Sequence, residues 1–242
     1  MKFDEIKKLH QKKYRQALGY CLIEGEHLVQ ELEKACTLHP ALAEAELYVS
    51  EAYTDFPSPW PKHLLNERQM ASLSETKTPQ GIIALVPLVA LQALNTAPIQ
   101  SAIYLHEIQD PGNLGTILRS LAWFGGMRCL LSPGSVDPYN SKVIRASMGA
   151  IFHVPIELDV ELTSLSHRFQ KLAYLDMQGR PIADPSFAKC DCYIFGNEAR
   201  GVPHQALASL QAQAYTIPGS GLIESLNLGT AVSLSLYQRQ GG

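Results

Sequence analysis

The stretch IPGSGLIESLNLGTAVSLSLYQ, residues 217–238, is the one around which the rest of the chain arranges itself. An apolar strand end, Tyr215 to Ile217, runs into Pro218 and two glycines, Gly219 and Gly221. Ser225, Leu226 and Asn227 then open an apolar helical run. Glycine backbone approaches a ligand closely, and the first amides of a helix carry the positive end of its dipole. Ser225 and Asn227 are also helix-capping residue types, so the stretch alone reads better as an ordinary loop before a buried terminal helix. The segments that share its edge of the fold decide between the two.

Working outward, apolar runs alternate with helical patterns. Strands are expected at 101–106, 127–132, 172–176, 190–195 and 215–217, and helices at 114–124, 141–148, 161–171 and 203–209. This alternation predicts an α/β fold, a parallel sheet with helices on both faces and a ligand crevice at the strand carboxyl ends. Residues 89–100, VALQALNTAPIQ, read as a linker, which divides the chain into 1–88 and 101–242. In the first part, YCLIEGEHLVQELEKACTL reads as strand, turn and amphipathic helix, with further strands at 47–49 and 82–86 and a helix over 66–73. Residues 1–15 read as one helix carrying Lys2, Lys7, Lys8, Lys12, Lys13 and Arg15 on a strongly basic side, either a solvated face or a phosphate contact.

Composition narrows the function classes. A content of 46% hydrophobic and 18% charged residues fits a soluble globular chain, and no apolar run approaches the roughly 20 residues of a membrane span. The N-terminus lacks the apolar centre of a secretory signal, so a cytoplasmic protein is expected. Five cysteines, Cys21, Cys36, Cys129, Cys190 and Cys192, show no zinc spacing and are expected as buried reduced thiols, the last two on one face of a strand. The net charge of −3 argues against a uniformly basic nucleic-acid binder but leaves room for a local basic patch.

Two more loops belong to the edge where residue 217 ends a strand. The first predicted strand of the second part runs into HEIQDPGNLGTILRSLAWFG, where Asp110-Pro111-Gly112 is a turn and Asn113 can cap. Arg119 follows six residues later among Leu114, Ile117, Leu118 and Leu121, which suggests a partly enclosed guanidinium. The fourth strand, CDCYIFGNEARG, ends in Gly196-Asn197-Glu198, a glycine that admits a ligand to the backbone and a carboxylate that can orient protons. No GxGxxG, HExxH, GxSxG or GK[ST] motif occurs, which removes several common enzyme classes.

Together, Asn113 to Arg119, Gly196 to Gly201, and Ile217 with Ser225-Leu226-Asn227 resemble in order and spacing the three motifs of the SpoU (TrmH) family of RNA 2′-O-methyltransferases, in the SPOUT superfamily. SKVIRASMGAIFHVPI looks like the family's intervening segment, with Arg145, Ser147, Met148 and Gly149. CLIEGEHLVQEL and TPQGIIALV look like the substrate-binding domain that many members carry, similar to a small α/β ribosomal protein. The resemblance implies a deep trefoil knot and a bent S-adenosylmethionine held by Gly196, Ile217 and Leu226, with Met177 as a further neighbour. It implies a catalytic Arg119, with Asn113, Glu198, Ser225 and Asn227 holding Arg119 and the ribose in register, and no metal.

The implied partners are RNA, ribosomal in preference to transfer RNA, and a second copy of the chain packed through the knotted domain. For that contact Ala231, Leu234, Leu236 and Tyr237 either face the partner or fill the monomer core. The alternatives within reach are a tRNA methyltransferase of the same family and a noncatalytic RNA-binding protein that keeps the fold. Two departures stand out. Gly219 stands where many relatives have Met, and Leu228-Gly229 where they have Val-Ser, so Gly229 marks either close packing or a looser final helix.

Overall fold

The computed structural model describes residues 1–96 and 101–241, and its contacts divide the chain into two units. The first unit contains Met1–Thr96 together with Asp137–His153. Its sheet has the order β1-β4-β2-β3, from β1 (Tyr20–Glu24), β2 (Glu46–Val49), β3 (Lys62–Leu64) and β4 (Ile82–Pro87). β4 lies between β1 and β2, antiparallel to both, and every one of its side chains is buried, as a central strand of six consecutive apolar or proline residues requires. β3 falls just after the proline-rich run 57–61 and is an edge strand, exposed along its length.

The helix expected over 1–15 is two helices, Phe3–Lys8 and Lys12–Leu18. The break has a cause in Arg15, which is only 5% exposed. Its guanidinium donates to the carbonyls of Leu9 (2.7 Å) and His10 (2.8 Å), next to the end of the first helix, and to the Asp137 carboxylate (2.5 Å). A buried arginine with all its bonds inside the protein is not an RNA contact, so Arg15 leaves the basic side. Lys8, Lys12 and Lys13 stay exposed.

The helix Leu88–Gln92 runs from the end of the first part into the expected linker and is followed there by a 3-10 turn, Ala93–Thr96, with Leu88, Ala90 and Leu91 buried. Residues 97–100 lie outside the described residues.

The second unit holds a six-stranded sheet in the order β10-β8-β9-β5-β6-β7. Its strands are β5 (Ser101–Leu105), β6 (Met127–Leu131), β7 (Ile156–Glu157), β8 (Leu172–Pro181), β9 (Cys192–Phe195) and β10 (Gln213–Thr216). Every pairing is parallel, as the alternation predicts. The short β7 was missing from the sequence reading, because two residues carry no periodic signal. The helix expected over 161–171 shrinks to Leu165–Arg168, since Phe169 turns extended to enter β8. Cys190 lies outside β9, in the residue that ends the 3-10 turn Phe187–Lys189, so it does not share a strand face with Cys192.

All five cysteines are free, four of them buried, and burial pushes the Cys21 and Cys129 thiols up to about 12. Among the described residues no helix is long and apolar enough to cross a membrane.

Candidate active site

Because all six strands run parallel, the loops that follow β5, β9 and β10 leave from one edge of the sheet. β5 and β9 are neighbours, and their loops are joined by side-chain bonds. Glu198 accepts from the backbone N–H of Gln109 (3.2 Å) and Asp110 (3.1 Å) and from Asn113 Nδ2 (3.3 Å). Buried Asn197 donates from Nδ2 to the Glu107 carbonyl (2.7 Å), and its Oδ1 accepts from the N–H of Ala199 and Arg200, both at 3.0 Å. The carboxylate of Glu198 therefore organises residues 109–113 rather than gripping Arg119.

The loop after β10 joins through the helix it leads into, Leu228–Arg239. Asn227 is that helix's N-cap: its Oδ1 accepts from Thr230 N–H (3.3 Å), while its Nδ2 donates to Asn113 Oδ1 (2.8 Å). Asn113 thus bridges Glu198 and Asn227, bringing three of the expected site residues into one chain of bonds. It is free to do so because it is not the cap of its own helix, Pro111–Phe124. Asp110 fills that role, accepting from Asn113 N–H (2.7 Å), as the placement of Pro111 at the first helical position dictates. Ser225, two residues before the Asn227 cap, is exposed and takes no part in capping.

The two helices lie against each other. A Cβ at Gly229 would sit 3.1 Å from Thr116 Cγ2, and Ser120 and Ser233 hydroxyls meet at 2.7 Å, so Gly229 marks close packing.

Arg119 is exposed, contrary to the enclosed guanidinium expected for it. At about 100° per residue, Leu114, Ile117, Leu118 and Leu121 form one stripe facing the sheet, all buried, and Arg119 projects from the opposite side. Among the described residues it makes no ion pair or hydrogen bond.

The three residues expected at the cofactor differ in setting. Gly196 is packed so closely that a Cβ would lie 2.2 Å from the carbonyl carbon of Gly201. Ile217 is half-buried, and Leu226 is 42% exposed beside the still more exposed Leu222 and Ile223. Added Cβ atoms at Gly201, Gly219 and Gly221 would meet nothing within 4 Å, which leaves open space along these loops.

Residues 100–237 match the SpoU rRNA Methylase family, and residues 2–84 match the MRM3-like substrate binding domain. The chain belongs to the SpoU rRNA methylase family. Across 246 aligned residues, 99% of this chain and 96% of the relative, it is 31% identical to the 23S rRNA (guanosine(2553)-2′-O)-methyltransferase RlmP of Bacillus subtilis. A structure described as a TrmH-family RNA methyltransferase from Porphyromonas gingivalis superposes with a TM-score of 0.80 at 27% identity, covering 98% of this chain and 96% of that one. The SpoU methyltransferase AviRb of Streptomyces viridochromogenes, in complex with AdoMet, shares the fold with a TM-score of 0.81 at 18% identity over 98% and 96% of the two chains.

Beside this SpoU constellation stand residues to which the sequence reading assigned no role. Glu107 holds φ at 51°, in a region that side-chain-bearing residues seldom occupy, and its carboxylate pairs with Arg200. Among the described residues His106 Nδ1 is buried without a partner, and burial lowers the imidazole's pKa. The sign in the sequence was the acidic and basic pair flanking the two motifs, HE before QDPGN and AR after GNE.

Proposed function

We propose that this protein transfers a methyl group from S-adenosylmethionine to a ribose 2′-hydroxyl of ribosomal RNA. The observation that carries the reading is the bond chain Glu198–Asn113–Asn227, which ties the loops after β5 and β9 to the helix after β10. The loops supply what such a methyl donor needs: open glycine backbone and an exposed apolar lip at Leu226. Gly196, Ile217 and Leu226 would hold it. When bound, S-adenosylmethionine supplies a methyl group on a cationic sulfur.

Arg119 is the catalytic residue in this reading. A guanidinium is a poor proton acceptor, so Arg119 works by orientation and charge, holding the ribose and an adjacent RNA phosphate while that phosphate or water takes the proton. Asn113, Glu198 and Asn227 keep the helix start and the two loops in register beneath it, and Ser225, exposed and uncommitted, faces the ribose. The first unit, around its residues 2–84, would read the RNA, and a cytoplasmic location would follow from a ribosomal substrate.

The test is a map of ribose methylation in cells lacking the protein. A missing mark in ribosomal RNA is expected. A missing tRNA mark with ribosomal RNA intact would transfer the assignment to tRNA, and unaltered RNA with no cofactor binding by the purified protein would leave only an RNA-binding role.

A homodimer through this unit is part of the same reading. Leu236 belongs to the monomer core at 2% exposure, whereas Leu234 and Tyr237 are exposed on the last helix and Trp123, at 85%, on the helix packed against it. Exposed aromatic and aliphatic side chains on adjoining helices favour a partner. Sedimentation should give twice the 26.6 kDa chain mass, and Trp123→Glu should give single chains. A wild-type protein that sediments as one chain would remove the dimer.

A further inference from the structure

The pair Glu107–Arg200 is built differently from its surroundings. Both backbones are anchored: Glu107 N–H donates to Ser132 Oγ (2.7 Å), the Glu107 carbonyl accepts from Asn197, and Arg200 N–H donates to Asn197 Oδ1. Both heads face outward, with the Arg200 side chain 68% exposed and that of Glu107 34%. The loops do not need this pair to stay together, because Asn197 and Glu198 already join residues 107–113 to 197–200 through four hydrogen bonds. An ion pair this exposed contributes little to stability and is readily exchanged.

The charges around it explain what it is for. The two loops carry Glu107, Asp110 and Glu198 against a single cation, Arg200. Asp110 and Glu198 turn oxygens to N–H groups of the loops without losing their charge, which leaves Arg200 as the cation that these loops offer an approaching polyanion.

We propose that Arg200 is a ligand for an RNA phosphate beside the target ribose, and that Glu107 pre-orients it and competes with that phosphate. This rests on the RNA-methylation reading above. On binding, the phosphate replaces the Glu107 carboxylate on the Arg200 guanidinium, and no covalent bond changes. The Glu107 backbone, held at positive φ, aims its carboxylate at the place where the phosphate will sit. Arg200 is therefore a substrate-positioning residue, separate from Arg119.

The experiment compares wild type with R200Q, E107Q and E107G, the last keeping the turn because glycine adopts positive φ freely. The probe is deproteinised ribosomal RNA from cells lacking the protein, titrated over a range of salt, with S-adenosylmethionine affinity measured in parallel. R200Q should weaken RNA binding about tenfold and reduce the slope of log affinity against log salt by about 0.7–0.9. E107Q and E107G should tighten RNA binding, by roughly two- to fourfold, with cofactor affinity unchanged in all three. If the Glu107 and Arg200 variants weaken RNA binding alike, the pair is a fastening and the proposal is wrong. An unchanged salt slope in R200Q would also overturn it. Wild type that neither binds nor methylates this RNA would instead overturn the RNA reading itself.

Discussion

Arg119→Ala should lose methyl transfer by about 10²–10³-fold in a single-turnover assay, the usual size of a lost charge-stabilising donor, while equilibrium binding of S-adenosylmethionine stays as in wild type. The expectation follows from where Arg119 sits. Its guanidinium is exposed on the outer side of the Pro111–Phe124 helix and holds nothing in place among the described residues, so removing it leaves the Glu198–Asn113–Asn227 chain intact. Arg119→Lys restores the charge but not the planar fork that grips a phosphate or ribose through two hydrogen bonds, and should recover only part of the rate. A loss of cofactor binding in Arg119→Ala would mean that the residue belongs to the cofactor pocket. A wild-type rate would mean that the motif has lost its chemistry in this chain.

Gly196→Ala should abolish S-adenosylmethionine binding and lower the stability of the second unit by about 1–3 kcal/mol, the range for forced overpacking. The added carbon would stand 2.2 Å from the Gly201 carbonyl carbon, 2.4 Å from its oxygen and 2.5 Å from Val202 N. All three are backbone atoms, so no side chain can swing aside. The bridge between Asn197 and Gly201 must open, and with it the turn that presents Glu198. Calorimetric titration and thermal unfolding separate the two effects. If Gly196→Ala binds the cofactor with native affinity, the loop after β9 is not part of its site.

How far the sequence reaches can be seen in these same residues. The parallel sheet was legible because each central strand is a short, almost wholly apolar run between turn signals, a pattern that strands buried on both faces produce. The three motif loops were legible as a set for the same reason: parallel strands put their carboxyl ends on one edge. The direction of Arg119 was also present, since its four leucine and isoleucine neighbours at helical spacing define a buried stripe that excludes it. Nearness in sequence was mistaken there for nearness in space.

What could not be read was which atom bonds to which. Asn113 and Ser225 have the side chains of caps, yet Pro111 shifts the first cap to Asp110, and the last helix starts two residues too late for Ser225 to serve it. The basic N-terminal stretch hid a buried arginine because Asp137, its partner, lies 122 residues away. The pairing of Glu107 with Arg200 spans 93 residues and has no periodic trace at all.

The bond between Asn113 and Asn227 crosses 114 positions of the chain. A ribosome making this protein has already released the Asp110-capped helix start into solution long before it adds the residues that complete the constellation. Until residues 228–239 have emerged and formed their helix, Asn227 caps nothing and Asn113 lacks its partner. The Glu198–Asn113–Asn227 chain therefore closes only after the helix over residues 228–239 has formed, however early the Pro111–Phe124 helix folds.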